Sequence, residues 1–159
     1  MIATLAAAWV TLLGGGDGDT AWALRAQHKT ISGMKGMCIE ISQVSSGGGQ
    51  ACLAGTNPIA SYGNVLQFGI GSTSGGTPTS NVVAGITIEK ARTATALFDD
   101  GTKVTMRARA LKAWRRAFGR KVRWFGADVL AQTGATLKVV SVHDAKGRRV
   151  GRFHDQEVG

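Results

Sequence analysis

The part of the sequence best suited to chemistry is a strongly basic segment between residues 107 and 123. It contains eight basic residues and no acidic one, with two aromatic residues among them. Cations interleaved with aromatic rings can hold a phosphate backbone and stack on bases, and they can equally engage anionic lipid or a wall polymer. The candidate polyanion-binding residues are Arg107, Arg109, Lys112, Trp114, Arg115, Arg116, Arg120, Lys121 and Arg123. The alternative is a solvated face whose aromatic residues belong to the core.

A second group has the residue types of a hydrolase triad, namely Ser141, His143 and Asp144. On a strand, Ser141 and His143 would share a face with their side chains too far apart for a nucleophile-to-base hydrogen bond. Asp144 is better suited to the turn that follows, and the sequence has no Gly-x-Ser-x-Gly elbow. We therefore expect no catalytic residue and a protein that is not an enzyme, with a site assembled from distant residues as the remaining alternative.

Metal and cofactor sites have equally little support in the sequence. The three histidines are isolated from one another and from the carboxylates that a metal site would need. The pair Asp99-Asp100 before Gly101 is typical of a turn, and it supplies too few oxygens for calcium. The glycine runs are not followed by the Lys-Ser/Thr of a phosphate loop. We expect neither a metal nor a cofactor.

The two cysteines, Cys38 and Cys52, flank the turn-like stretch at residues 45–49. A hairpin folding there would bring them face to face, so a disulfide is geometrically feasible if they form a cross-strand pair. The alternative is a pair of small buried thiols. A disulfide would favour an extracytoplasmic location.

Two hairpin-like segments dominate the elements that must position these residues. Residues 93–106 and 137–150 each set β-branched or apolar runs on both sides of a turn built from Asp and Gly. Further alternating runs begin at Trp22, Met37, Asn64, Val83 and Val122. We predict an all-β, antiparallel β-sandwich of immunoglobulin-like or related type, in which two layers enclose the core. Apolar spacing is also compatible with one short helix near 110–118.

Composition supports a single glycine-rich globular domain with a basic surface. The chain has 159 residues, of which 43% are hydrophobic, 18% are charged and 23 are glycine. A length of this order accommodates one domain with a substantial core. The net charge of +9 predicts attraction to polyanions without specifying which.

The domain organisation has a distinct N-terminal part. Residues 1–19 form an apolar leader, interpreted as a degraded secretion signal, followed by a glycine-rich hinge; a buried first strand or helix is the competing interpretation. The apolar run is too short to cross a bilayer. Residues 20–155 form the predicted sandwich domain, with a flexible Gly/Ser/Thr/Pro loop at 71–81.

The order of these elements resembles a known class of proteins. The shared features are a Trp-containing first strand, a Cys-containing hairpin closed by a second Cys, a strand leading to Asp-Gly-Thr, and a last hairpin matched here by residues 140–148. Over residues 22–152 the chain resembles actinobacterial exported or membrane-anchored β-sandwich domains of the anti-sigma-associated type. The resemblance implies an extracytoplasmic β-sandwich and brings no catalytic residues. The basic 107–123 segment departs from that pattern.

We therefore predict a non-catalytic, secreted or cell-surface interaction or sensory β domain. Its partner would be a protein or an anionic polymer, with no small-molecule cofactor, and with a membrane engaged only through the N-terminal leader. The alternative function is polyanion binding by residues 107–123, to nucleic acid, anionic lipid or wall polymer.

Overall fold

A computed structural model of the chain describes residues 8–16, 18, 21–43, 47–55, 57–70, 79–110, 120–131 and 135–154. The described residues form eleven β-strands and a 3₁₀ helix, Pro58–Tyr62. The strands are β1 Val10–Gly15, β2 Trp22–Ile31, β3 Met34–Gln43, β4 Gly47–Ala54, β5 Val65–Ile70, β6 Thr79–Ile88, β7 Thr93–Phe98, β8 Lys103–Arg107, β9 Val122–Ala131, β10 Leu137–His143 and β11 Arg149–His154. All pairings between them are antiparallel.

The N-terminal sheet is a meander in the order β1-β2-β3-β4. As the alternation in sequence predicts, Trp22, Leu24 and Ala26 point to its buried face. The β2–β3 connection is a two-residue turn in which Ser32 and Gly33 both have positive φ, the geometry of a hairpin turn whose twist matches its strands.

The C-terminal sheet has the order β11-β10-β7-β8 and contains both hairpins predicted from Asp and Gly. In the β10–β11 turn, Asp144 Oδ1 accepts from the backbone N–H groups of Lys146 and Arg148, and Gly147 takes a φ of 78°. In the β7–β8 turn, Asp100 Oδ1 accepts from the backbone N–H of Thr102. Local side-chain hydrogen bonding therefore forms these turns, as expected for Asx turns.

The central sheet, in the order β5-β6-β9, is buried on both faces. Along β6, Val82, Ala84 and Ile86 belong to a core cluster shared with the N-terminal sheet, whereas Val83 belongs to a second cluster shared with the C-terminal sheet. Neighbouring residues of a strand point to opposite faces, so a nearly continuous apolar run can serve two cores. The run Val82–Ile86 is the sequence signal of this arrangement.

Glycine lets aromatic rings lie directly on the central sheet at two positions. A Cβ on Gly126 would lie 2.7 Å from the indole ring of Trp22, and a Cβ on Gly85 would lie 2.7 Å from the ring of Phe125. The two rings cover opposite faces, because Trp22 belongs to the first cluster and Phe125 to the second. Packing at this density leaves no room for a methyl group.

The all-β, antiparallel, sandwich-like prediction is confirmed, and a third sheet is added to the two expected layers. Part of the predicted leader belongs to the domain, because β1 pairs with β2 and buries Leu12. This matches the competing interpretation of a buried first strand. The predicted domain boundary at residue 20 therefore moves to β1. The predicted loop 71–81 ends earlier, since residues 79–81 belong to β6. Residues 1–7, 71–78 and the helix predicted near 110–118, apart from residue 110, lie outside the described residues.

Candidate functional site

A cleft of about 640 Å³ opens where β6 ends and β9 begins. Its apolar wall consists of Ile59, Ile88 and Val122, and the amides of Asn57 and Asn64 add polar groups. Its charged side chains are those of Glu89, Lys90, Arg92, Arg120 and Lys121. Within the described part of the chain, four cations and one carboxylate thus line this concave surface.

The β6–β7 connection positions one side of this cleft. Ile88 pairs with Val122 at the end of the central sheet, and the backbone N–H of Ala91 donates to the carbonyl oxygen of Ile88 at 3.2 Å, which closes a tight turn. Ala91 is fully buried, whereas Glu89 and Lys90 at the turn are exposed. The buried alanine therefore anchors the turn and leaves its charged side chains facing solvent.

Two guanidinium groups converge on the backbone oxygen of one lining residue, Glu89. Arg92 Nη1 and Arg123 Nε each donate to the carbonyl oxygen of Glu89 at 2.7 Å. Arg123 Nη1 also donates to the carbonyl oxygen of Ala108 at 3.3 Å. Partial burial lowers the pKa of Arg123 below its ordinary value, and the nearby charge of Arg92 adds to this, while Glu89 opposes it. Arginine nevertheless stays charged, so both guanidinium groups remain positive beside Glu89.

The remaining cations are little neutralised. Lys121 Nζ lies 3.7 Å from the Glu89 carboxylate, but both side chains are more than half exposed, so the ion pair is weak. Neither Lys90 nor Arg120 forms an ion pair or side-chain hydrogen bond with another described residue. These two side chains are therefore the best placed to bind an incoming anion.

The opposite wall is fixed by two consecutive residues with positive φ, Gly63 and Asn64. The side-chain Nδ2 of Asn64 donates to the carbonyl oxygen of Val150 at 3.2 Å, and the backbone carbonyl oxygen of Asn64 accepts from Thr87 Oγ1 at 2.7 Å. The backbone N–H of Arg152 donates to the carbonyl oxygen of Gly63 at 2.9 Å. The cleft therefore has a rigid wall where the central and C-terminal sheets meet.

The predicted basic segment is divided among three locations. Arg120 and Lys121 line the cleft, whereas Arg123 is bonded to the backbone of Glu89, one of the lining residues. Arg109 forms an isolated backbone bridge with Trp124, and Arg107 ends β8. The other candidates, Lys112, Trp114, Arg115 and Arg116, lie outside the described residues. Sequence reasoning missed Lys90 and Arg92, whose signal was the basic composition of the β6–β7 connection.

The predicted pairing of Cys38 with Cys52 is confirmed. The two residues are directly opposite each other on β3 and β4, with their Cα atoms 4.0 Å apart and a bond between the sulfur atoms. Cys38 is completely buried, whereas Cys52 lies on the exposed edge strand. The disulfide therefore closes the β3–β4 hairpin, as the placement of the glycine-rich turn between them suggested.

Of the three residues with triad side-chain types, Asp144 is engaged in the β10–β11 turn. Asp144 Oδ2 accepts from Arg148 Nε at 2.9 Å, in addition to the two backbone bonds of its turn. These bonds lower its pKa below the ordinary value, with the backbone N–H of Arg148 as the largest cause.

Within the described residues, no three His, Cys, Asp or Glu side chains are grouped as a metal site would need. The same part of the chain contains no helix with the length and apolar character needed to cross a bilayer.

Comparison with known proteins returned no match to any family model, curated sequence or solved structure.

Proposed function

We propose that this chain is a non-catalytic, extracytoplasmic interaction module that binds an anionic ligand in the cleft between β6 and β9. The observation that carries the proposal is the charge balance of that cleft, in which, among the described residues, Glu89 is the one acid beside Lys90, Arg92, Arg120 and Lys121. Anionic groups entering the cleft would meet positive potential from several directions.

The shape of the cleft supports a compact ligand or a compact charged group on a larger partner. Its volume of about 640 Å³ lies within the range usual for small-ligand sites. Arg92 and Arg123 are held by the carbonyl oxygen of Glu89, so their charges are fixed before any ligand arrives. Preorganised cations of this kind lower the ordering cost of binding.

The disulfide supports the extracytoplasmic part of the proposal. Disulfides persist in oxidising compartments and are rare in the cytosol. The Cys38–Cys52 bond fits such a location. The predicted resemblance to actinobacterial exported β domains agrees with such a location, and an interaction or sensory role with a protein or an anionic polymer as partner is part of the proposal.

The direct test is calorimetric titration with myo-inositol hexakisphosphate, a compact polyanion used as a probe. The variants Lys90→Gln and Arg120→Gln, singly and together, remove cations that form no ion pair or side-chain hydrogen bond with another described residue. We expect the double variant to bind the probe about tenfold more weakly, from roughly 0.7 kcal/mol per exposed charge contact.

Lys138→Gln is the matched control. Lys138 is exposed on β10 and lies five positions along the strand from His143, whose carbonyl oxygen accepts from the backbone N–H of Arg92. That spacing is roughly 17 Å. Equal weakening by the control and by Arg120→Gln would show general attraction to a basic protein and would refute the cleft as the site.

A further inference from the structure

The outer face of the C-terminal sheet is a second basic surface, separate from the lining of the cleft. One face of this sheet buries Ala94, Ala96, Val140 and Val142 in the second core cluster. The residues that alternate with them on β7 and β10 therefore point the other way. We call this opposite side the outer face; it consists of alternate residues of β8, β7, β10 and β11.

The strand register aligns the outer face in three rows across the sheet. The first row is Arg149, His143, Thr93 and Arg107. The second row is Arg152, Ser141, Thr95 and Thr105. The third row is His154, Val139, Leu97 and Lys103. The edge strands β11 and β8 thus carry most of the cationic side chains, while the middle strands β10 and β7 carry His143 and hydroxyl or aliphatic side chains.

The two edges of this face carry cations without carboxylate partners. Lys103 and Arg107 lie on β8, while Arg149 and Arg152 lie on β11, and all four are exposed. None of them forms an ion pair with a described residue. The edges are separated by three strand spacings, or roughly 14 Å. Two basic margins, on β8 and β11, therefore border a central strip formed by β7 and β10.

Carboxylates in the connecting turns do not neutralise these margins. Asp99 Oδ1 accepts from the backbone N–H of Thr136, and Asp100 Oδ1 accepts from that of Thr102. Asp144 is occupied by its turn and by Arg148. Acidic side chains of both hairpins are thus engaged at the ends of the sheet, and no acidic residue occurs in the three rows.

The strip between the margins is rich in hydroxyl groups. Thr93, Thr95 and Ser141 are half-buried in its centre, and Thr105 is exposed beside them. The hydroxyl oxygens of Thr95 and Thr105 lie 3.3 Å apart across the strand pair. Hydroxyls both donate and accept hydrogen bonds, so they can pair with the hydroxyl groups of a sugar.

We propose that the outer face binds a linear acidic polysaccharide lying along the strands, with its sugar hydroxyls on the Thr and Ser side chains. Its carboxylate or sulfate groups contact the arginine and lysine side chains at the two margins. Guanidinium groups suit this role because they form bidentate hydrogen bonds with such oxyanions.

The same face is poorly suited to the other polyanions. Sequence-tolerant binding of single-stranded nucleic acid depends on aromatic rings on which bases stack, and the three rows contain no phenylalanine, tyrosine or tryptophan. Insertion into a lipid interface depends on exposed apolar side chains, whereas Leu97 and Val139 are half-buried.

The test measures binding of fluorescently labelled dextran sulfate and polygalacturonate, with neutral dextran, oligothymidylate and phosphatidylglycerol vesicles as comparisons. The variants Arg149→Gln/Arg152→Gln and Lys103→Gln/Arg107→Gln each remove one margin. We expect either double variant to weaken both acidic polysaccharides about five- to tenfold, as two exposed charge contacts would. Lys29→Gln/Lys35→Gln removes the same charge from exposed positions on β2 and β3 and should weaken them less than about twofold. The cleft double variant Lys90→Gln/Arg120→Gln is measured beside it.

A third variant separates sugar recognition from charge alone. Thr95→Val/Thr105→Val removes two hydroxyls without changing charge, and valine is favoured in strands. We expect about fivefold weaker binding of the acidic polysaccharides, from the loss of hydrogen bonds to sugar. Unchanged binding would overturn the assignment to a sugar polymer, as would equally tight, margin-dependent binding of oligothymidylate or vesicles.

The two proposals fail separately. If only the cleft variant weakens the polysaccharides, the outer face is refuted as a binding surface and the cleft stands. If the margin variants weaken the polysaccharides while inositol hexakisphosphate binding is independent of Lys90 and Arg120, the outer face stands and the cleft is refuted. Denaturant unfolding of each variant checks that the domain is intact.

Discussion

The side chain of Arg123 is hydrogen-bonded to the backbone of Glu89, because Arg123 Nε donates to the carbonyl oxygen of Glu89 at 2.7 Å. A second bond, from Nη1 to the carbonyl oxygen of Ala108, ties the start of β9 to the end of β8. Arg123 therefore acts mainly as a structural cation that holds these backbone segments together. Arg120, with no such bonds to described residues, is available to a ligand.

This difference predicts that one arginine substitution lowers stability and that the other weakens anion binding. Arg123→Gln should lower the free energy of unfolding by about 1 kcal/mol, a value discounted for partial exposure. Arg120→Gln should leave stability within about 0.5 kcal/mol and weaken anion binding. Urea unfolding measures the first effect and calorimetry the second. Equal destabilisation by both variants would contradict the assigned roles.

The contact between Trp22 and Gly126 predicts a position that does not tolerate a methyl group. A Cβ on Gly126 would lie 2.7 Å from the indole ring and 3.2 Å from the Cβ of Ala84. Gly126→Ala should therefore cost about 1–3 kcal/mol through overpacking. Gly49→Ala is the matched control, since a Cβ there meets no atom within 4 Å. A similar loss in both variants would show that close packing is not the cause.

The disulfide should contribute a large part of the stability of the domain. Cys38 and Cys52 are separated by 14 residues, and closing a loop of this size in the unfolded chain is worth about 3 kcal/mol. Cys38→Ala/Cys52→Ala should therefore lose about 3 kcal/mol of unfolding free energy. The wild-type protein should react with thiol reagents only after reduction. Reaction of unreduced, denatured protein would show that the bond is absent.

Asp144 predicts an acid-sensitive turn. Its pKa is lowered chiefly by the backbone N–H of Arg148, so its carboxylate stabilises the folded state above the ordinary carboxyl pKa of 3.8. This contribution is lost as the pH falls through the lower, folded value. Carbon-13 NMR should give a titration midpoint below 3.8 for Asp144. A midpoint at or above that value would contradict the role of the turn hydrogen bonds.

The hairpins and strand faces could be predicted because their determinants are local. Asp144 and Asp100 form their turns with nearby backbone N–H groups, and Trp22, Leu24 and Ala26 alternate along one strand. The double burial of the central sheet was harder to predict, because an apolar run such as 82–86 does not show which sheet covers each face. The cleft depends on tertiary contacts, since Lys90 and Arg92 meet Arg120 and Lys121 only after β6 pairs with β9.

The measurement that tests the central claim most directly is the salt dependence of inositol hexakisphosphate binding to wild-type protein and to Lys90→Gln/Arg120→Gln. Electrostatic binding in the cleft predicts that wild-type affinity falls at least about tenfold between about 50 and about 300 mM salt, as screening increases. The double variant should bind more weakly at low salt and lose less affinity over the same range. Wild-type affinity that is independent of salt, or identical salt dependence in the two proteins, would contradict the claim.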